Sequence, residues 1–315
     1  MSDLLDRKLV FVTGKGGVGK TTIASALAWL AADRGRRTLV CEVDAKGNLA
    51  DFYETPPIAF EEREIAPRLW AMSMDTEASL KQYLSLQLEL PLVARMGPLA
   101  KMFDFVASAA PGVREIVTVG KLCWEVKERH YDFIVVDASA TGHIIGQLAA
   151  PQAINQLVQV GLVRQQTGWM LDILQDPATT GLVVVATPSE MPVSETLDLT
   201  ARLRDETDVD LAAVVVNRVL PELFGRGEEE VFERLDQPAP TRLIEAEVGG
   251  PVGDLMQAAR LTVSMRRSRT EHLERLREAI DPSVPLLYMP YLFFRSHGLR
   301  ATHQLADALS AELGY

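Results

Sequence analysis

The sequence predicts a doubly wound, mostly parallel α/β sheet of about seven strands, in a single domain spanning residues 1–315. Three observations predict it. Short runs of β-branched and other apolar residues are nearly continuous, as strands covered on both faces must be. Stretches with helical spacing alternate with them. A glycine-rich turn joins the first run to the first helical stretch, where such sheets bind their ligands.

The elements follow in chain order. KLVFVTG (8–14) opens the sheet and passes through the turn into a helix over 20–34. RTLVCEVD (37–44) and LWAMSMD (69–75) are the next strands. Residues 76–130 carry only helical signals, interrupted at Pro91, Gly97-Pro98 and Pro111-Gly112, before the strand YDFIVVDA (131–138). Residues 143–178 repeat that pattern before GLVVVATPS (181–189). These two helical stretches, 76–130 and 143–178, are expected to form a helical subdomain inserted into the core domain. A helix over 192–207 leads to LAAVVVNRV (211–219). Residues 221–250 are acidic and rich in Pro and Gly, which predicts a loop excursion with at most short helices. A helix over 254–280, the strand VPLLYMPY (284–291) and a helix over 298–312 complete the chain.

Hydrophobic residues make up 47% and charged residues 24%, enough for a large core and unlike a disordered chain. The net charge of −11 argues against a basic footprint for nucleic acid or anionic lipid. Cys41 and Cys123 stand far apart and outside any metal-ligand spacing, which suits a reducing compartment. MSDLLDRKLVFV has no signal-peptide pattern, and no apolar run approaches the ~20 residues needed to cross a bilayer. A soluble cytoplasmic protein is expected.

Gly14-Lys15-Gly16-Gly17-Val18-Gly19-Lys20-Thr21 fits G-x-x-x-x-G-K-[ST], between a predicted strand and a predicted helix. Backbone N–H groups of such a loop turn inward on phosphates, aided by the positive helix end. Lys20 would reach the β- and γ-phosphates of ATP or ADP. Thr21 would ligate Mg²⁺, with Thr22 next to it in the binding segment.

Lys15 is a second cation in a loop that already has one. Its pattern resembles the deviant-Walker ATPases, whose loop reads x-K-G-G-x-G-K-[ST]. The resemblance implies that Lys15 reaches the nucleotide of a partner subunit, in an ATP-sandwich dimer. The plainer reading is a solvated loop lysine.

Two further stretches narrow the resemblance. Glu42-Val43-Asp44-Ala45-Lys46-Gly47-Asn48-Leu49-Ala50-Asp51 is similar to the switch I segment S-T-D-P-A-x-N-L-x-D of the arsenite-pump and tail-anchored-protein targeting ATPases, which form one family. Asp137-Ala138-Ser139-Ala140-Thr141-Gly142-His143-Ile144 is similar to that family's switch II, D-T-A-P-T-G-H-T. Asp44 is the candidate acceptor that holds the attacking water in line, and a turn-capping aspartate is its plainer reading. Asp137 ends an apolar strand and is the candidate for holding Mg²⁺ through water. Asn217 and Arg218 in VVVNR, and Pro290 in MPYLFFRSHG, resemble the family's base pocket, where an Asn amide offers adenine both donor and acceptor. His143 and His297 carry no metal assignment.

The departures from the family also speak. The C-x-x-C pair of the targeting branch is missing, and Cys123 alone cannot supply the soft ligands of the arsenite branch. Neither zinc nor arsenite is expected. From Leu80 to Val106 apolar residues recur at three- and four-residue steps, and from Ile144 to Leu171 the only charged residue is Arg164. Such helices need a cover: core, partner subunit or apolar client. The expected function is a slow, Mg²⁺-dependent ATPase, working as a homodimer or as a heterodimer with a homologous ATPase. Its nucleotide state would open and close the helical subdomain on a hydrophobic protein client or membrane-associated partner. The alternative is a nucleotide-sensing scaffold with little turnover, motivated by the altered switch I.

Overall fold

The computed structural model describes residues 4–44, 47–87, 112–157, 162–221, 225–293 and 297–315. Eight strands form its sheet: β1 (Leu9–Gly14), β2 (Thr38–Glu42), β3 (Arg63–Ala66), β4 (Leu69–Ser73), β5 (Phe133–Asp137), β6 (Thr180–Ala186), β7 (Leu211–Val219) and β8 (Leu286–Pro290). Their order is β3-β4-β2-β5-β1-β6-β7-β8. All neighbours pair in parallel except β3, which runs antiparallel to β4 at the edge.

Strand β3 is the one that the sequence pattern does not predict. Arg63 and Glu64 are exposed, and a charged edge strand has no apolar run to announce it. Of the seven predicted strands six are inner, and the seventh, β8 at the other edge, is written in the apolar run LLYMP. In β1, every residue is buried. Val10 and Val12 point to one face and Leu9 and Phe11 to the other, the two-residue period of a strand written entirely in apolar letters.

Helix α1 (Lys20–Asp33) follows β1. It is rich in alanine, and Thr22 to Ala28 are all buried, so it is a core helix with little polar face. It stops where Gly35 takes φ +82° and donates back to the Ala32 carbonyl. Together with α11 (Leu299–Glu312) it covers one face of the sheet, burying Leu305, Ala306 and Leu309. The other face is covered by α4 (Val113–Lys127), α5 (Thr141–Leu157), α6 (Leu162–Leu174) and α7 (Glu190–Glu206). The result is three layers with the ligand-facing edge at the strand C-termini.

Two short helices flank this frame on the β2 side: α2 (Asn48–Phe52) and α3 (Thr76–Gln87). The described part of the 221–250 excursion carries short helices, within what its composition allows. It holds α8 (Arg226–Leu235) and α9 (Pro238–Val248), followed by the 27-residue α10 (Gly253–Ala279). Its Pro and Gly are helix punctuation rather than loop. Pro238 opens α9, Gly249 closes it at φ +75°, and the Gly225 N–H donates to the Glu228 side chain at 2.9 Å. No helix among the described residues is long and apolar enough to cross a membrane.

The stretch from Leu80 to Val106 falls largely on residues 88–111, outside the described residues. The stretch 144–171 is partly settled. Ile144, Ile145, Leu148 and Met170 pack in the core beneath the sheet, whereas Leu157 at the end of α5 is 79% exposed.

Candidate functional site

The C-terminal ends of β1, β2, β5 and β7 bring Gly14, Glu42, Asp137 and Asn217 to one edge of the sheet. β1 sits at the switch point, with β5 on one side and β6 on the other, so the chain after Gly14 leaves into an open crevice. The loop is forced to be glycine there. A Cβ on Gly14 would run into the Val185 carbonyl. Gly19 caps α1 at φ +98°, and a Cβ on it would run into the Asn217 amide. Between them Val18 is buried, while Gly16 and Gly17 are exposed with no side chain to shield their N–H groups.

Thr21, in the first turn of α1, donates its hydroxyl to Asp137 Oδ2 at 2.6 Å. The other carboxylate oxygen, Asp137 Oδ1, is buried and has no hydrogen-bond partner. Burial pushes the Asp137 carboxyl up to about 6, and Glu42 and Asp44 push the same way. The Thr21 hydrogen bond and the Lys20 charge oppose that rise without cancelling it. A buried acid with an orphaned oxygen beside a hydroxyl is a hard donor set short of a cation, and it fits Mg²⁺.

The segments after β2 and β5 attach directly to this pair. Thr13 in β1 donates to the Ser139 carbonyl at 2.7 Å, and Ser139 donates to Gln147 on α5 at 3.0 Å. Val43 N–H donates to the Asp137 carbonyl at 3.1 Å. Asp44 follows, exposed to solvent and near enough to raise the Asp137 carboxyl.

Lys15 is not a solvated lysine. It forms an ion pair with Glu195 on α7, whose second oxygen accepts from the Thr141 hydroxyl at 3.2 Å. Both partners are about a third exposed or less, so the pair holds an orientation and adds little stability. Through Glu195, the loop lysine and the first residue of α5 share one carboxylate.

Thr22, Asn217, Arg218, Pro290, Tyr291, Leu292 and Leu305 line a cavity of about 250 Å³ beside the loop. Asn217 is buried and partly committed. Its amide donates to the Val18 carbonyl at 2.9 Å, and its oxygen accepts from the Arg218 N–H at 2.9 Å. One amide hydrogen and one lone pair remain for a ligand. Arg218 sits at φ +60°, a left-handed conformation unusual for a residue with a side chain. His143 and His297 lie exposed at the surface. Cys41 and Cys123 are buried, and burial pushes both thiols up, away from the thiolate form that binds metal.

Glu195 lies outside every motif, and Glu42 and Tyr291 are site neighbours to which the motifs assign no role. Glu42 carries a local signal: a lone acid ending an apolar strand. Glu195 carries none, since 180 residues separate it from Lys15.

Comparison with known proteins gives the family. A family model described as anion-transporting ATPase matches residues 7–171 and 163–234. ATPase BagA of Mycobacterium tuberculosis is 33% identical over 225 residues, 68% of this chain and 66% of that protein. ATPase GET3 of Chaetomium globosum is 32% identical over 178 residues, 55% of this chain and 52% of its own. A Halobacterium salinarum protein provisionally named an arsenical pump-driving ATPase is 28% identical over 281 residues, 79% of this chain and 43% of its own. The chain thus spans between about two fifths and two thirds of the length of these relatives. The match covers residues 14–22, 42–51, 137–144 and 217, and the chain belongs to the anion-transporting ATPase family.

Proposed function

We propose that the protein binds ATP with Mg²⁺ at residues 14–22 and hydrolyses it slowly, as a dimeric switch. The observation that carries the reading is the Thr21–Asp137 pair with its buried, unpartnered Oδ1 at the root of the phosphate loop. Loop N–H groups and Lys20 would hold the phosphates, and Thr21 and Asp137 the Mg²⁺, the latter through water. The ion would neutralise charge on the phosphates. Asp44 would hold a water in line with the γ-phosphate. Arg218 and Pro290 would wall the base, with the free half of the Asn217 amide facing its edge.

In this reading Lys15 leaves Glu195 when a nucleotide-loaded partner docks, and reaches across to the partner's phosphates. A second cation acts best from the side opposite Lys20, as a trans-acting finger does. Glu195 would then be held by Thr141 alone, so this carboxylate couples the loop to the start of α5 and would pass nucleotide state to it. The helical stretches 76–130 and 143–178 would then open or close on an apolar client or membrane-associated partner. Exposed Leu243, Val248, Leu255 and Leu261 on α9 and α10 add apolar surface that a second chain could cover.

The test is single-turnover hydrolysis with and without Mg²⁺, on the parent and on Asp44→Asn. The reading expects Mg²⁺-dependent turnover that collapses in the variant while ATP still binds. Parental turnover in Asp44→Asn would remove Asp44 from its role. Binding without turnover in the parent would favour the sensing scaffold.

A further inference from the structure

We propose that Glu42 is a positioning residue for ATP hydrolysis: its buried carboxylate ties down Gly47 and Asn48 and so fixes where Asp44 stands. The proposal rests on the reading of Asp44 as the water-holding acid.

Glu42 ends β2 and is 2% exposed. One carboxylate oxygen accepts from the Gly47 N–H at 3.2 Å, the other from the Asn48 N–H at 3.1 Å. Its own carbonyl accepts from the Met74 N–H at 2.7 Å, which anchors its backbone to the end of β4. The next residue, Val43, is tied to the Asp137 carbonyl. Asp44 therefore leaves from a pinned strand end, and the chain is gripped again at Gly47, which turns at φ +73°. Ala45 and Lys46 between them lie outside the described residues.

The arrangement is costly enough to require a reason. A carboxylate is buried at the end of the otherwise apolar run Leu39–Cys41, and its register partner across the ladder is Asp137, a second buried carboxylate. Two like charges on adjacent strands disfavour each other, and each loses hydration. An apolar residue at position 42 would pack without that penalty. What it could not do is accept two backbone N–H groups at once. The serine that the resembling switch I pattern carries there is too short to span both. Glu42 thus replaces a weak local tether with a two-point one, and the residue it steadies is two positions away.

The test compares Glu42→Ala, Glu42→Gln, Asp44→Asn and the double variant Glu42→Ala/Asp44→Asn. Each is measured by single-turnover hydrolysis of Mg·ATP, by titration with a fluorescent ATP analogue, and by thermal melting. A displaced Asp44 predicts that Glu42→Ala slows hydrolysis about 10- to 100-fold while affinity stays within about threefold. Glu42→Gln keeps one acceptor and falls between the two. Added to Asp44→Asn, Glu42→Ala costs nothing further, because the group it positions is already disabled. Parental hydrolysis in Glu42→Ala with slow Asp44→Asn overturns the tether and leaves Asp44 in place. Fast Asp44→Asn overturns the Asp44 reading and the tether with it. Equal loss of affinity and rate, or an additive double variant, shows a merely structural Glu42. Should Glu42→Ala fail to fold, Glu42→Gln decides: a slowed step cancelled by Asp44→Asn supports the tether, and a parental rate overturns it.

Discussion

Asp137 offers a sharp test, because its geometry makes a thermodynamic demand. Its carboxyl moves from 3.8 in the ordinary range up to about 6, with burial the main cause. A folded pKa above the unfolded one means that the native state binds the proton more tightly. The associated stability is full below the unfolded pKa and is lost as pH rises through the folded one. The window here is pH 4 to 6. The shift is about two pKa units, and at about 1.4 kcal/mol per unit the loss approaches about 3 kcal/mol. Asp137→Asn keeps the size and an acceptor for Thr21 but cannot ionise. The stability difference between variant and parent should therefore move by about 3 kcal/mol in the variant's favour between pH 4 and pH 7. At roughly 2 °C per kcal/mol for a chain of this size, that is roughly 6 °C in melting temperature. The assay is urea and thermal unfolding of both proteins in EDTA, without nucleotide, across that range. Parallel pH profiles for the two proteins would refute the reasoning, because Asp137 would then be ionised at no cost. Millimolar Mg·ATP should flatten the parent's slope and leave the variant unmoved.

Other substitutions test the frame around the site. Gly19→Ala places a methyl against the Asn217 amide in a left-handed cap, and should cost about 1–3 kcal/mol and at least tenfold in ATP affinity, read by unfolding and fluorescent nucleotide titration. Asn217→Ala leaves the buried Val18 carbonyl without its donor and should destabilise the protein by about 1–3 kcal/mol in the same unfolding assay, with or without nucleotide. Glu195→Ala breaks a pair about a third exposed and should change stability by less than about 1 kcal/mol. It should nonetheless tighten ATP-dependent dimerisation, measured by sedimentation, since Lys15 no longer has to leave a partner of its own chain.

The phosphate loop was legible because everything it needs is contiguous: glycines, lysine and threonine between a strand and a helix. Asp137 was legible for a related reason, since an acid that ends an apolar strand must lie at the sheet's edge, whereas β2 ends at Glu42 and Asp44 lies two residues beyond it. The partners of those residues were not. Nothing at residue 195 points to residue 15; only the fold brings α7 against the loop. Asn217 read as a base contact, yet half of its amide braces Val18, a use no local pattern encodes. β3 was hidden by its charge, and the bounds of the short helices α8 and α9 by Pro and Gly that cap helices rather than break them. Local signals thus marked the candidate groups, and long-range packing decides how each is held.

The central claim is that Lys15 serves the partner's nucleotide and Lys20 its own. Mixing Lys15→Ala with Lys20→Ala protein tests it directly, with Mg·ATP turnover as the readout. Each variant alone should be nearly inactive. In a mixed dimer, the Lys15→Ala subunit keeps its own Lys20 and receives Lys15 from its partner, so one site is complete. Random pairing should restore about a quarter of the parental rate, because half the dimers are mixed and each has one working site. A mixture as inactive as its parts would contradict the account, since it would place both lysines on the same subunit's nucleotide.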